Sequence, residues 1–278
     1  MLEKEILEDV ENYIFKEKKE FLKTGFMDLD YVLKGVPKGS LITLGARPAM
    51  GKNAFLTALM VNFLSQKKKC LFFNFVINKR NSILRMISQI SEVDIHNLIN
   101  NPSENLKNSE KIYNAISEIS NFDLNICDET LDINSIKNKI ETIQPEFVFI
   151  DCLQYIKTNS KKTRTEQVSE ILSELKQIAL DNNCIIFISS QLSRKVEERC
   201  CKIPMLSDLR DCGDIENISD VVMFLYREEY YERENPEHKN KAHIIVAKNK
   251  YGMCGNIDIL FIGRFLKFKE RFRPNVEI

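Results

Sequence analysis

Short apolar runs recur along this chain, separated by longer stretches in which apolar residues return every third or fourth position. The runs lie at 41–45, 70–76, 146–151, 184–189, 220–226, 243–248 and 257–262, and read as strands buried on both faces. The stretches near 52–66, 80–90, 106–120, 132–142 and 166–182 read as helices. Continuous apolar strands alternating with helices predict an α/β domain, a mostly parallel twisted sheet with helices on both faces. The last two runs are joined through Asn249-Lys250-Tyr251-Gly252 and read as a C-terminal β-hairpin at the sheet edge.

Ahead of the first strand, Leu2, Ile6, Leu7, Val10, Tyr13 and Ile14 fall at helical spacing with charges between them. Residues 2–19 therefore read as an amphipathic helix appended to the core. Its apolar stripe is covered either by its own domain or by a neighbouring subunit. The expected organisation is an N-terminal helix at 1–19 and one nucleotide-binding domain at 20–278, two small domains being the alternative for a chain of 278 residues.

Composition narrows the class. Hydrophobic content of 44% and charged content of 29% are those of an ordinary soluble globular protein. Forty basic and 40 acidic residues cancel, so any contact with nucleic acid must come from local basic patches. Two basic, polar loops supply candidates, Lys157 to Arg164 and Arg194 to Lys202. The 8 cysteines include no C-x-x-C pair and read as reduced thiols; the 3 histidines are too scattered for a zinc site. No apolar run is long enough to span a membrane, and Met1-Leu2-Glu3-Lys4 does not open a signal peptide, so the expected location is cytoplasmic.

The chemistry concentrates at Gly45-Ala46-Arg47-Pro48-Ala49-Met50-Gly51-Lys52-Asn53, a phosphate-binding loop of the form G-x-x-x-x-G-K-[ST] with its last residue changed. The strand Leu41-Ile42-Thr43-Leu44 precedes it and the apolar segment Phe55 to Phe63 follows. Its glycines let backbone N–H groups turn inward around phosphate oxygens. Lys52 brings a positive charge, and the helix N-terminus adds its partial charge. Gly45, Arg47, Gly51, Lys52, Asn53 and Ala54 are the candidate nucleotide contacts. Asn53 stands where a hydroxyl normally meets Mg²⁺; an amide oxygen is also a metal ligand, in a different geometry. From Tyr31 to Ser91 there is no Asp or Glu, which suits anion binding and not carboxylate chemistry.

Two later strands end in polar groups. Glu146-Phe147-Val148-Phe149-Ile150-Asp151 ends in an acid, the expected place for the carboxylate that holds the Mg²⁺ hydration shell; the plainer role of such an Asp is a turn or helix cap. Ile185-Ile186-Phe187-Ile188-Ser189-Ser190-Gln191 places Gln191 to sense a γ-phosphate or to position DNA, or simply to bond nearby backbone.

With these come Thr24-Gly25-Phe26-Met27-Asp28-Leu29-Asp30, Ile150-Asp151-Cys152-Leu153-Gln154-Tyr155, Ser190-Gln191-Leu192-Ser193-Arg194, Met205 to Gly213, Ser219 to Arg227, and Ile245 to Lys250. Together they resemble the C-terminal ATPase domain of the DnaB-type replicative hexameric DNA helicases, which has a RecA-like P-loop NTPase fold. The TGF-x-x-LD opening is shared with recombinases and clock ATPases; the Ser207-Asp208-Leu209-Arg210-Asp211 segment favours the helicases. The resemblance implies ATP and Mg²⁺ as cofactors, single-stranded DNA as a partner, a homo-oligomeric and usually hexameric ring, and a helicase or primase as a further partner. Helix 2–19 would be the linker that docks on the next subunit.

Residue by residue, Lys52, Asp151 and Gln191 match the family's phosphate lysine, metal carboxylate and γ-phosphate sensor, and Asn53 joins Asp151 as a metal position. Lys248 matches a lysine that reaches the neighbour's ATP. Arg210, Asp211 and Gly213 match the loop that tracks DNA, and Lys161, Lys162 and Arg164 add local positive charge. Three positions depart from the family. Asn53 replaces the hydroxyl residue, Val76 the catalytic glutamate, and Lys250 the arginine finger. A general base contributes ~10²–10⁴ in rate and an arginine finger ~10³–10⁵. The expectation is thus a helicase-type domain that binds ATP and DNA, with hydrolysis weak or lost. The alternative is a non-enzymatic paralogue that joins or regulates a ring.

Overall fold

Alternation along the strands sorts side chains onto two faces, and each face is covered. The structure, a computed structural model, describes residues 6–7, 22–34, 36–158, 161–212 and 214–271. The strands are β1 (Leu41–Ala46), β2 (Cys70–Asn74), β3 (Leu124–Cys127), β4 (Phe147–Asp151), β5 (Ile185–Gln191), β6 (Val221–Tyr226), β7 (Lys241–Asn249), β8 (Gly255–Ile262) and β9 (Lys267–Glu270). They form one sheet in the order β3-β2-β4-β5-β1-β6-β7-β8-β9. Pairing is parallel from β3 to β6 and antiparallel from β6 to β9. The helices are α1 (Met27–Val32), α2 (Lys52–Ser65), α3 (Lys79–Ser91), α4 (Ile95–Asn100), α5 (Pro102–Lys107), α6 (Ser109–Ser120), α7 (Ile133–Ile143), α8 (Arg164–Asp181) and α9 (Ile215–Ile218).

Ile42, Leu44, Phe147, Phe149 and Phe187 share one core with Phe55 and Phe63 of α2. Their chain neighbours Leu41, Val148, Ile150, Ile186 and Ile188 point the other way, into a second core with Ile136 and Ile140 of α7 and Leu172 and Leu175 of α8. Helix α2 is apolar almost all round because it is buried almost all round. Its sheet side meets the aromatic layer, where the Phe63 ring lies flat on Phe147 at 4.0 Å between centroids. Its outer side is closed by β9, whose Phe268 ring meets Phe55 edge-on at 5.3 Å, and by Gln89 of α3. That amide donates to the carbonyls of Ala54 and Leu266, at 3.0 and 2.8 Å.

The layers match the sequence reading, with corrections at the edges. The expected hairpin is β7–β8, and β9 extends it to three antiparallel strands. Neither β3 nor β9 is among the expected runs. Both are four-residue edge strands; β3 has no fully buried residue and β9 only Phe268, too little for a periodicity to register. The expected helix at 106–120 is two, α5 and α6, divided at Asn108. Strand β2 stops at Asn74 rather than 76, since the buried Asn74 carboxamide oxygen accepts the N–H groups of Val76 and Ile77 and turns the chain outward. The amphipathic helix expected at 2–19 lies outside the described residues except for Ile6 and Leu7, which are helical and exposed.

Candidate nucleotide-binding site

Parallel pairing brings the carboxyl ends of four strands to one edge of the sheet. Ala46 of β1 is in register with Gln191 of β5, and Asn74 of β2 with Asp151 of β4. Loops leaving such an edge are where α/β sheets bind ligands. Here they enclose a cavity of about 460 Å³ whose walls include Arg47, Gly51, Lys52, Asn53, Ala54 and Gln191 from the expected nucleotide positions, with Asp151 among them. The loop after β1 is shaped for it. Gly51 takes φ 97° as the residue that caps α2, a left-handed conformation open to glycine. Gly45 has no room for a side chain, since a Cβ there would come within 2.8 Å of the Phe224 ring. The first turn of α2 carries no acid of its own, which leaves its N-terminal partial charge directed at the cavity.

Lys52 opens α2 at the cavity wall. Burial pushes the Cys152 thiol up to about 11, and the Lys52 ammonium pulls against that shift. Cys152 thus stays a thiol and is no nucleophile, while Lys52 stands close to the end of β4. The guanidinium of Arg47 is held sideways, its Nε donating to Glu197 at 2.8 Å and its Nη1 to the Leu192 carbonyl at 2.9 Å.

Asp151 is buried and shared. Its Oδ1 accepts from the Ser189 hydroxyl, as the Ile150–Ile188 register dictates, and its Oδ2 accepts from Asn53 Nδ2 at 2.9 Å. The other end of the Asn53 amide, Oδ1, accepts from Arg85 Nη1 at 3.2 Å. Burial draws the Arg85 guanidinium below its ordinary range and the Asp151 carboxylate draws it back. An arginine so displaced remains a cation at neutral pH. Val76 faces the same cavity and is 51% exposed.

The two lysines of β7 and the turn after it lie elsewhere. Lys248 Nζ donates to the carbonyls of Glu216, Asn217 and Ser219 at the end of α9. Lys250 pairs with Asp220 at 3.0 Å, and Asp220 also takes Lys176 at 2.7 Å and the Leu41 N–H at 2.9 Å. Burial would raise the Asp220 carboxyl, but these donors outweigh it and hold it below its ordinary range. Neither lysine lines the nucleotide cavity of its own chain.

Of the candidate DNA positions, Arg164 opens α8 and Lys161 and Lys162 precede it. Arg164 Nη2 donates to the Gln154 carbonyl at 2.9 Å, Lys162 pairs with Glu170, and Lys161 is exposed. Arg210 and Asp211 lie on the 3₁₀ segment Leu206–Cys212, and Gly213 lies outside the described residues. That segment is anchored by the buried Asp208, whose carboxylate accepts two bonds from Arg199, at 3.0 and 2.9 Å, and one from the Met205 N–H. Helix α8 begins with a capping box in which Thr163 and Glu166 satisfy each other's backbone N–H. Thr163→Ala is expected to cost about 1 kcal/mol in a denaturant titration and to leave nucleotide affinity unchanged.

The family described as DnaB-like helicase C terminal domain matches residues 22–270. The chain belongs to that family. It is 35% identical over 258 residues to a probable replicative DNA helicase of Trieres chinensis, and 34% identical over 257 residues to the replicative DNA helicase DnaC of Bacillus subtilis (strain 168). Each match covers 89% of this chain and 56% of the relative, so the chain spans about half the length of the curated helicases it matches. Among solved structures it is similar to an isolated ATPase domain, with a TM-score of 0.90 and 31% identity over 96% of this chain and 98% of that one. It is also similar to a DnaB-like replicative helicase described with its interactions with primase, at a TM-score of 0.89 and 29% identity over 98% of this chain and 67% of that one. The fold is therefore the RecA-like one of helicase ATPase domains. Among the described residues no helix is long and apolar enough to cross a membrane.

Within this DnaB-like domain, sequence reasoning missed Arg85, Ser189 and the Asp208–Arg199 pair. Ser189 was legible in principle, one register step from Asp151 once β4 and β5 are neighbours. Arg85 also left a trace, as a cation on a largely buried helix within a 61-residue stretch, Tyr31 to Ser91, that holds no acid. Its partner had to come from another strand.

Proposed function

We propose that this chain is the ATPase-type domain of a DnaB-like helicase assembly that binds ATP and single-stranded DNA and hydrolyses ATP weakly or not at all. The observation that carries the reading is one cavity in which the phosphate loop is complete through Lys52 and which Val76 also lines. Phosphate-binding groups and the absent base thus belong to the same site. Gln191, at the end of β5 and lining the same cavity, suits a group that meets the terminal phosphate.

Two features support assembly as a ring. Lys248 and Lys250 lie off their own cavity, as expected of groups that serve a neighbour's nucleotide. The sequence at 2–19 spaces its apolar residues as an amphipathic helix would, a stripe suited to docking on the next subunit. The same observations favour a second reading, a non-enzymatic ring-joining or regulatory module, because both lysines are also satisfied within their own chain. A primase or another helicase chain is the partner class for either. Steady-state ATP turnover with and without single-stranded DNA separates the two. Turnover stimulated by DNA supports a slow motor, and none in either condition supports the module.

Single-stranded DNA is assigned to Lys161, Lys162 and Arg210. Replacing all three by Ala is expected to weaken binding by about tenfold at low salt. With three phosphate contacts gone, the dependence of log affinity on log salt flattens by about 2, at ~0.7 per contact. Fluorescence anisotropy of a labelled oligonucleotide at several salt concentrations measures both. An unchanged salt slope removes this loop from the DNA path.

A further inference from the structure

The family implies Mg²⁺ at the end of β4, and the donor set there does not fit it. Mg²⁺ demands oxygen lone pairs in near-octahedral array. A carboxylate only accepts hydrogen bonds and a guanidinium only donates them. Asn53 sits between one of each, so its amide has a single satisfied orientation. Nδ2 turns to Asp151 Oδ2 at 2.9 Å, and Oδ1 turns to Arg85 Nη1 at 3.2 Å. The flipped amide would set donor against donor and acceptor against acceptor. Asn53 Oδ1, which would stand in for the hydroxyl ligand, therefore faces a cation, and Asp151 Oδ2, which would hold the ion's hydration shell, faces the Asn53 amide. The remaining Asp151 oxygen accepts from Ser189.

A positive charge already stands in that place. Arg85 lines the cavity together with Lys52 and Gly51, half-buried, and reaches Asp151 through the Asn53 amide. A threonine or serine at position 53 carries donor and acceptor on one short oxygen and lacks the reach of two separate polar atoms, one toward the carboxylate and one toward the guanidinium. An amide has it, which gives the substitution at position 53 a chemical role. A guanidinium also suits phosphate better than an ammonium does, because its planar fork can hold two oxygens at once.

We propose that this site binds the phosphates of a nucleoside di- or triphosphate without a divalent cation, Arg85 supplying the charge a metal would bring and Asn53 clasping it to Asp151. This rests on the nucleotide reading of the cavity. Lys52, Arg85 and the N–H groups at the start of α2 then neutralise the phosphates from three sides.

The test is titration of the full chain with N-methylanthraniloyl-ADP, once in excess EDTA and once in excess Mg²⁺. Wild type is expected to bind within about twofold under the two conditions, less than about 0.5 kcal/mol apart. Arg85→Ala is expected to lose ~10- to 100-fold in EDTA, the range for a hydrogen bond to a charged group, and Arg85→Lys to recover part of it. Asn53→Thr is expected to create a metal dependence of about tenfold or more that wild type lacks. Wild-type affinity that rises tenfold or more with Mg²⁺ overturns the proposal while leaving nucleotide binding intact, and needs no variant to fold. Arg85→Ala binding as tightly as wild type in EDTA also overturns it. Absence of binding in both conditions removes the nucleotide reading itself, and this inference with it.

Discussion

Installing a glutamate at position 76 is expected to raise ATP turnover by about 10²-fold, the low end of what a positioned general base contributes. Position 76 is already aimed. The buried Asn74 carboxamide accepts both the Val76 and Ile77 N–H groups, at 3.3 and 3.2 Å, so the turn after β2 is held from within. The Val76 side chain faces the cavity and is 51% exposed, leaving space and water for a longer polar group. Among the described residues no other carboxylate at this site is ready for the task. Asp151 is engaged by Asn53 and Ser189, and Glu197 by Arg47. The gain stays at the low end because Asn53 and Lys250 remain changed, and groups that act as a unit do not recover one at a time. Val76→Glu with Asn53→Thr and Lys250→Arg is expected to exceed the single change. Steady-state phosphate release measures all of them. A wild-type rate of ~1 s⁻¹ or faster, typical of working enzymes, would mean that an acid from elsewhere already activates water.

Replacing Lys52 by Ala is expected to weaken nucleotide binding by roughly 100-fold, about 3 kcal/mol, the upper value for a hydrogen bond to a charged group. Lys52 sits at the first turn of α2, where the helix charge is positive and the turn itself carries no acid. Thermal unfolding reads the loss directly. A nucleotide at about 100 times its Kd stabilises the folded state by ~2.7 kcal/mol, and at about one Kd by only ~0.4 kcal/mol. For a domain of this size the first amounts to a rise of about 5–10 °C and the second to about 1 °C. Equal protection of wild type and Lys52→Ala would reduce the loop at 45–53 to a structural turn.

Most of the sheet was legible because its central strands are buried on both faces. Runs such as Phe147-Val148-Phe149-Ile150 and Ile185-Ile186-Phe187-Ile188 have no polar position to hide them. Edge strands carried no comparable signal. Lys267-Phe268-Lys269-Glu270 reads as a charged tail until Phe268 is seen against Phe55 and Phe261. Helix α2 was legible from its apolar content, but its burial on the outer side depends on β9 and on Gln89, residues more than 20 positions away.

By itself, the sequence determined the phosphate loop, the acid at the end of β4, the amide at the end of β5 and the family they belong to. These are local facts, written in residue type and spacing. It also determined that positions 53, 76 and 250 are changed. What those changes mean was decided by tertiary structure. Parallel pairing of β2 with β4 sets Asn74 beside Asp151, packing of α3 on α2 brings Arg85 to Asn53, and the path of β6 hands Lys250 to Asp220. Each is a contact between residues more than 25 positions apart. An amide between a carboxylate and a guanidinium has one orientation, and that orientation exists only once the fold has supplied both neighbours.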